Sequence, residues 1–263
     1  MKPQLIVLMI AILLLSCEQK TEWDLQHAEE FLVADCIITN EMKHHDLRLY
    51  WSSDALNQVP EGFSGAVIQL SDGTTSIGFT EDTENPGRYV SGIPFRATAG
   101  KMYRLTLSYA SRSDTAYASM SGVSPLEAPD IIASDGYFRL VYHEGQASMT
   151  EVYYDWSADA QYSEQYGAGR AAEIFYSLDN IDLGKEFAPA RQIILFPHQT
   201  EIIRRKYSLS EDHQGFVRSL LLETEWSGGY FDAEQGNVPS NFRHGVRGWF
   251  AACAVVTDTT YFE

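Results

Sequence analysis

Residues 103–109 read Tyr-Arg-Leu-Thr-Leu-Ser-Tyr, an alternation of large apolar and polar side chains. Because neighbouring side chains of a strand point to opposite faces, this stretch predicts a strand with one buried face. Residues 47–51 and 66–70 alternate in the same way, and the turn signals Pro86-Gly87 and Ala99-Gly100 lie between the later strands. Short alternating strands separated by turns are typical of an antiparallel β-sandwich.

The segment 122–130 contains glycine and two prolines without a strand pattern, so it predicts a boundary between two domains. We therefore expect a β-sandwich domain over residues 30–121 and a second β-rich domain over residues 131–263. The second domain should carry one α-helix at about residues 208–226, because Ser208 and Glu211 have the spacing of a capping box before an apolar face. Gly245 to Thr257 reads as one long closing strand.

The amino terminus has the organisation of a secretory signal. Lys2 precedes an apolar run from Leu5 to Leu15, which is too short to span a bilayer, since a membrane helix needs about 20 apolar residues. Leu14-Leu15-Ser16-Cys17 resembles the lipobox cleaved by lipoprotein signal peptidase. The sequence thus predicts a signal peptide over residues 1–16, lipid attachment at Cys17, and a polar tether over residues 17–29. Acyl chains on Cys17 would anchor the protein to a membrane.

The composition is acidic, with 36 Asp and Glu against 19 Lys and Arg, for a formal net charge of −17. Such a surface repels phosphate groups, so we expect no nucleic-acid partner. Cys36 and Cys253 are the thiols that would remain beside Cys17. Outside the cytoplasm the pair could form a disulfide, but each lies in an apolar, strand-like run, which favours two buried free thiols.

Several segments resemble one family of lipoproteins from the Bacteroidota, catalogued as domain of unknown function 4249. The resemblance is carried by Cys17 and by residues 32–40, 65–68, 86–89, 100–105, 230–232, 237–241 and 245–250. Residues 65–89 also resemble transthyretin-like and carboxypeptidase-regulatory-like sandwiches, which implies an immunoglobulin/transthyretin-like first domain. The resemblance implies an outer-membrane lipoprotein, and lipoproteins of this kind are commonly encoded beside TonB-dependent transporters. No activity follows from it.

No catalytic or cofactor-binding motif stands out in the sequence, so we expect no cofactor, no metal and no enzymatic activity. The leading hypothesis is a non-catalytic surface lipoprotein that serves a TonB-dependent outer-membrane transporter. The alternative is a surface-anchored hydrolase acting on glycans or peptides. In residues 152–156, Val-Tyr-Tyr-Asp-Trp, alternation sends Tyr153 to one face and Tyr154 and Trp156 to the other. Exposed aromatic side chains can stack on sugar rings, so carbohydrate is a candidate ligand. A peptide ligand is the alternative.

Two short stretches resemble the three-residue acceptor motif for O-glycosylation in Bacteroidota. These stretches are Asp114-Thr115-Ala116 and Asp258-Thr259-Thr260, so the candidate acceptors are Thr115 and Thr259. A glycan needs an exposed site, and the sequence favours Thr115 because it lies near the polar stretch before the domain boundary.

Overall fold

The computed structural model describes residues 30–53, 58–143, 145–159, 162, 169–179, 183–186, 188–190, 192–226 and 238–263. The predicted signal peptide, Cys17 and the tether lie outside these residues. The strands are β1 (Leu32–Thr39), β2 (Asp46–Trp51), β3 (Val67–Ser71), β4 (Ser76–Glu81), β5 (Arg88–Ser91), β6 (Met102–Tyr109), β7 (Arg112–Ser119), β8 (Asp130–Ser134), β9 (Tyr137–Val141), β10 (Ser148–Asp155), β11 (Arg170–Ser177), β12 (Thr200–Ser208), β13 (Arg247–Cys253) and β14 (Val255–Phe262). The helices are α1 (Leu183–Glu186) and α2 (Glu211–Glu223). The predicted mainly β class is confirmed.

The first sheet has eight strands in the order β13-β1-β2-β5-β4-β3-β6-β7. Its buried face follows the predicted alternation: in β6, Tyr103, Leu105 and Leu107 are buried. Isolated bridges join Ala116 to Phe242 and Ser121 to Cys253, so the β7 edge approaches the β13 edge. The sheet therefore curls around a single apolar core, in a barrel-like variant of the expected sandwich.

The carboxy-terminal part of the chain belongs to both large sheets, which differs from the predicted division at residues 122–130. β13 pairs in parallel with β1 of the first sheet, and β14 pairs with β12 of the second. The expected single strand from Gly245 to Thr257 breaks at Ala254. There the backbone N–H and carbonyl of Ala254 bond to the side chain and backbone N–H of Ser208, both at 2.9 Å. These bonds end β13 and allow the chain to cross between sheets.

The second sheet has four strands in the order β11-β10-β12-β14, all antiparallel to their neighbours. The β8–β9 hairpin packs over one face, which we call the inner face, and buries Leu140 among Val152, Tyr154 and Ile202. Helix α2 packs against the other face beside Met149. The inner face is the floor of the candidate site.

Helix α2 begins three residues later than predicted and ends earlier. Its N-cap is Ser210, whose hydroxyl accepts a hydrogen bond from His213 N, so the predicted cap at Ser208 is wrong. Ser208 ends β12, where its hydroxyl donates to the carbonyl of Ser121 at 2.9 Å. Val217 and Leu221 are buried on one helix face, as the apolar periodicity predicts.

Candidate functional site

Strand register places a row of polar side chains across the inner face of the second sheet. Val152 of β10 lies between Glu173 of β11 on one side and Arg204 of β12 on the other. Arg204 is in turn opposite Asp258 of β14. Tyr154, two residues after Val152, points to the same face. A buried sheet face normally carries apolar residues, so charged groups at these positions need specific partners.

Glu173 is held by two tyrosine hydroxyls. Tyr142, just after β9, donates to Glu173 Oε1 at 2.6 Å, and Tyr154 donates to the same oxygen at 2.5 Å. The two hydroxyl oxygens are 3.3 Å apart. Burial is the main cause that raises the pKa of both tyrosines, and the hydrogen bonds to Glu173 raise it further. Both phenols therefore stay protonated and act as donors. We call Tyr142, Tyr154 and Glu173 the tyrosine–glutamate cluster.

Aromatic rings flank this cluster. The ring of Tyr142 stacks on Phe175 with centroids 4.6 Å apart and planes 10° apart. The Lys185 ammonium lies 6.0 Å from the Phe175 centroid, within cation–π range. A cavity of about 420 Å³ is lined by these residues and by Trp226. Its walls thus combine ring faces with a carboxylate and a cation.

A second cavity, of about 470 Å³, adjoins the first and shares Tyr142 and Phe175 with it. Arg204 and Lys206 line it from β12. Arg204 donates to Asp258 Oδ2 at 2.6 Å and to the carbonyl of Glu127 at 2.7 Å. The hydrogen bond from Arg204 is the main cause that lowers the pKa of Asp258.

The two adjoining cavities are together named the inner-face cleft. Its described walls present ring faces, a carboxylate, hydroxyls and cationic donors. This combination suits a small polar ligand with an apolar face, such as a saccharide or a short peptide. Among the described residues, no group of three or more His, Cys, Asp or Glu is arranged to hold a metal ion.

The two cysteines lie apart on adjacent strands. In the β1–β13 pair, Cys36 is opposite Phe250 and Cys253 is opposite Thr39. The two cysteines are therefore offset by three residues along the strands. Cys36 packs in the core enclosed by the first sheet, whereas Cys253 packs in a cluster on the opposite face. Both are buried free thiols, which is the alternative that the sequence favoured over a disulfide.

The glycosylation candidates differ in exposure. Thr115 lies inside β7, half-buried and paired with Thr106, beside the fully buried Asp114. It is therefore not in an exposed polar stretch. Thr259 is exposed on β14. The structure thus favours Thr259 over Thr115 as an accessible hydroxyl, and glycosylation at either site stays a prediction.

The predicted split of the aromatic run is confirmed. Tyr153 is 43% exposed, whereas Tyr154 and Trp156 are buried on the inner face. The sequence reading missed Glu173 and Arg204 as site residues. Both alternate with apolar residues, Ala171 before Glu173 and Ile202 before Arg204, but this pattern alone does not distinguish a cleft residue from a charged residue on an exposed face.

The molecule belongs to the mainly β class, with a curled eight-stranded sheet joined to a four-stranded sheet that carries a polar cleft. The chain is a member of the family described as domain of unknown function (DUF4249), whose model matches residues 18–259. A search of curated proteins found no match to this chain. Within the described residues, no helix has the length and apolar character needed to cross a membrane.

Proposed function

We propose that this chain is a surface lipoprotein of the outer membrane that binds a small polar ligand in its inner-face cleft. It would act without catalysis, as an accessory of a TonB-dependent outer-membrane transporter. The lipobox-like Leu14-Leu15-Ser16-Cys17 supports the anchor at Cys17. The tyrosine–glutamate cluster is the observation that carries the binding role.

The cluster fixes the carboxylate of Glu173 in one orientation. Glu173 Oε1 accepts hydrogen bonds from Tyr142 and Tyr154. A carboxylate has a second oxygen, which in this proposal accepts hydrogen bonds from the ligand. A positioned carboxylate beside stacked rings suits a ligand that offers hydroxyl or amide donors and an apolar face, as carbohydrates and short peptides do.

Anchoring also supports the role of transporter accessory. Lipid chains on Cys17 would confine the folded part to the membrane plane, where even a weak contact with a membrane neighbour gains from a high effective concentration. The acidic surface would repel anionic head groups and leave the cleft accessible.

The second candidate function is a surface-anchored hydrolase of glycans or peptides. Glu225 lines the same cavity as Glu173, and paired carboxylates are the usual machinery of glycoside hydrolysis. Turnover of a bound glycan would favour this candidate over the binding role.

Affinity purification tests the proposed partnership. The tagged full-length chain is extracted from outer membranes in mild detergent, and co-purifying proteins are identified by mass spectrometry. We expect a TonB-dependent transporter with the wild type and its loss with Cys17→Ala, which removes the lipidated thiol. Recovery of the wild-type lipoprotein without any transporter would contradict the accessory role.

A further inference from the structure

The cavity beneath the segment 122–130 contains donor groups that the folded chain leaves unused. Arg204 is among the most buried charged residues, with 9% of its side chain exposed. Its Nη2 donates to Asp258 and to the Glu127 carbonyl, but its buried Nε has no hydrogen-bond partner among the residues that the structure describes. An unpaired buried donor costs free energy, so the described residues leave the hydrogen-bonding capacity of Arg204 incompletely satisfied.

Lys206 supplies a second source of donors in the same cavity. It is two residues along β12 from Arg204, so both side chains point to the inner face. Its ammonium donates to Ser124 Oγ at 2.7 Å, and an ammonium carries three donors. Lys206 is half-buried, so its charge is less screened than that of a surface lysine.

Two acids near this cavity already have side-chain partners: Asp258 accepts from Arg204, and Asp130 lies 3.0 Å from the exposed His143 at the rim. Glu127, which also lines the cavity, is exposed. The Lys206 ammonium bonds to a hydroxyl, that of Ser124, and the cavity wall includes the hydroxyl-bearing Thr150. The volume of about 470 Å³ falls in the range of roughly 300–1,000 Å³ typical of small-ligand sites.

We propose that this cavity binds the carboxylate of the ligand at the Lys206 ammonium, beside the Arg204 guanidinium that lines the same wall. The inference rests on the proposed binding function and narrows it to ligands that carry an acidic group, a uronic-acid saccharide or a peptide with a free carboxyl terminus. Hydrogen bonds between charged partners are stronger than those between neutral groups, so a carboxylate would add to the affinity of a ligand at this cavity. Because the net charge of the protein is negative and repels anions elsewhere, this binding would be specific to the cavity. The rest of the ligand would lie along Tyr142 and Phe175, which the two cavities share.

Calorimetry with four probes tests this inference on the mature lipoprotein in detergent. The probes are a uronic-acid trisaccharide, its carboxyl-reduced neutral counterpart, a tripeptide with a free carboxyl terminus, and the same tripeptide amidated. We expect the acidic member of one pair to bind at least about tenfold more tightly than its neutral counterpart, because a charged hydrogen bond is lost in the neutral one. The pair that responds identifies the source of the carboxylate.

Lys206→Met keeps the apolar stem and removes the charge, and it avoids disturbing the buried Arg204. We expect this variant to bind the acidic probe as weakly as the neutral one. The matched control is Lys101→Met, which removes an exposed lysine paired with Asp72 in the first sheet and should leave affinity unchanged.

Equal binding of acidic and neutral probes would overturn the inference, as would equal losses in the two lysine variants or no binding of any probe. These outcomes are separate from the transporter experiment. Co-purification of a transporter by a protein that binds none of the probes would keep the accessory role and refute the carboxylate site. Selective binding of an acidic probe without a co-purifying transporter would keep the carboxylate site and refute the accessory role.

Discussion

Asp114 provides the sharpest test of how the first sheet closes. This carboxylate is fully buried in β7 and has no cationic partner among its described contacts. Its Oδ1 accepts from the backbone N–H groups of Thr115, Arg243 and His244 at 2.6, 2.8 and 2.9 Å, and its Oδ2 accepts from Val246 N at 2.9 Å. The side chain thus fastens the loop before β13 to the opposite edge of the sheet.

The expected cost follows from these bonds. In Asp114→Asn one carboxylate oxygen becomes an NH₂ group, so at least one backbone N–H loses its acceptor and faces a donor. We expect a loss of about 2–3 kcal/mol in the free energy of unfolding, since an unsatisfied buried donor costs about 1–3 kcal/mol and hydrogen bonds to charged groups are stronger than neutral ones. Asp114→Ala leaves all four donors unpaired and should cost about 4–6 kcal/mol after partial hydration.

Urea titration followed by tryptophan fluorescence measures both variants against the wild type, with the midpoint compared at an unchanged m value. The matched control is Asp46→Asn, which removes the same charge from an exposed ion pair with Arg88 and should change stability far less. A loss for Asp114→Asn no larger than that for Asp46→Asn would refute the assigned role of the buried carboxylate.

Three further predictions concern packing and burial. Burial lowers the pKa of His213 to about 4, below its usual 6.5, so its imidazole protonates more readily in the unfolded chain. The free energy of unfolding should therefore fall by about 2 kcal/mol as the pH drops from 7 to 5. Chemical denaturation of His213→Leu should show a decrease smaller by this amount. If the variant and the wild type lost the same stability between pH 7 and pH 5, His213 would not be the group responsible. Gly248 has φ +100°, and a Cβ added there would lie 2.1 Å from the Ala34 carbonyl oxygen. Gly248→Ala should therefore lower the free energy of unfolding by more than about 3 kcal/mol in the same urea assay. Gly78→Ala, where an added Cβ meets open space, should not. Burial raises the pKa of Cys253 to about 12, so a thiol reagent should label this cysteine after denaturation and not in the native protein; rapid native labelling would disprove its burial.

The strand content could be predicted because local alternation and burial agree. In β6 Tyr103, Leu105 and Leu107 are buried. In β10 Val152 and Tyr154 are buried, whereas Tyr153 is exposed. In each of these strands one face is more deeply buried than the other, so a period of two in the sequence identifies the buried face. The same reasoning failed at Ala254, because nothing local signals that the chain leaves one sheet for another there.

The cleft residues could not be identified from the sequence for a related reason. Arg204, Arg205 and Lys206 are consecutive, so both faces of β12 carry charge and alternation does not tell which is covered. Arg205 points away from the cleft and pairs with Glu41 at 2.8 Å. Glu173 accepts a hydrogen bond from Tyr142, which lies just after the β8–β9 hairpin and is distant from Glu173 in the sequence. Long-range contacts decide which of the charges belong to a site.

Recognition without turnover in the inner-face cleft is the central claim. The direct measurement incubates the purified protein with the acidic and neutral saccharide and peptide probes. Binding is followed by calorimetry, and the recovered probes are analysed by mass spectrometry. We predict saturable binding that Glu173→Gln weakens, no weakening by the exposed control Glu201→Gln, and recovery of every probe at its original mass. Cleaved probe fragments that appear with the wild type and disappear with Glu173→Gln would contradict the account and identify the protein as a hydrolase.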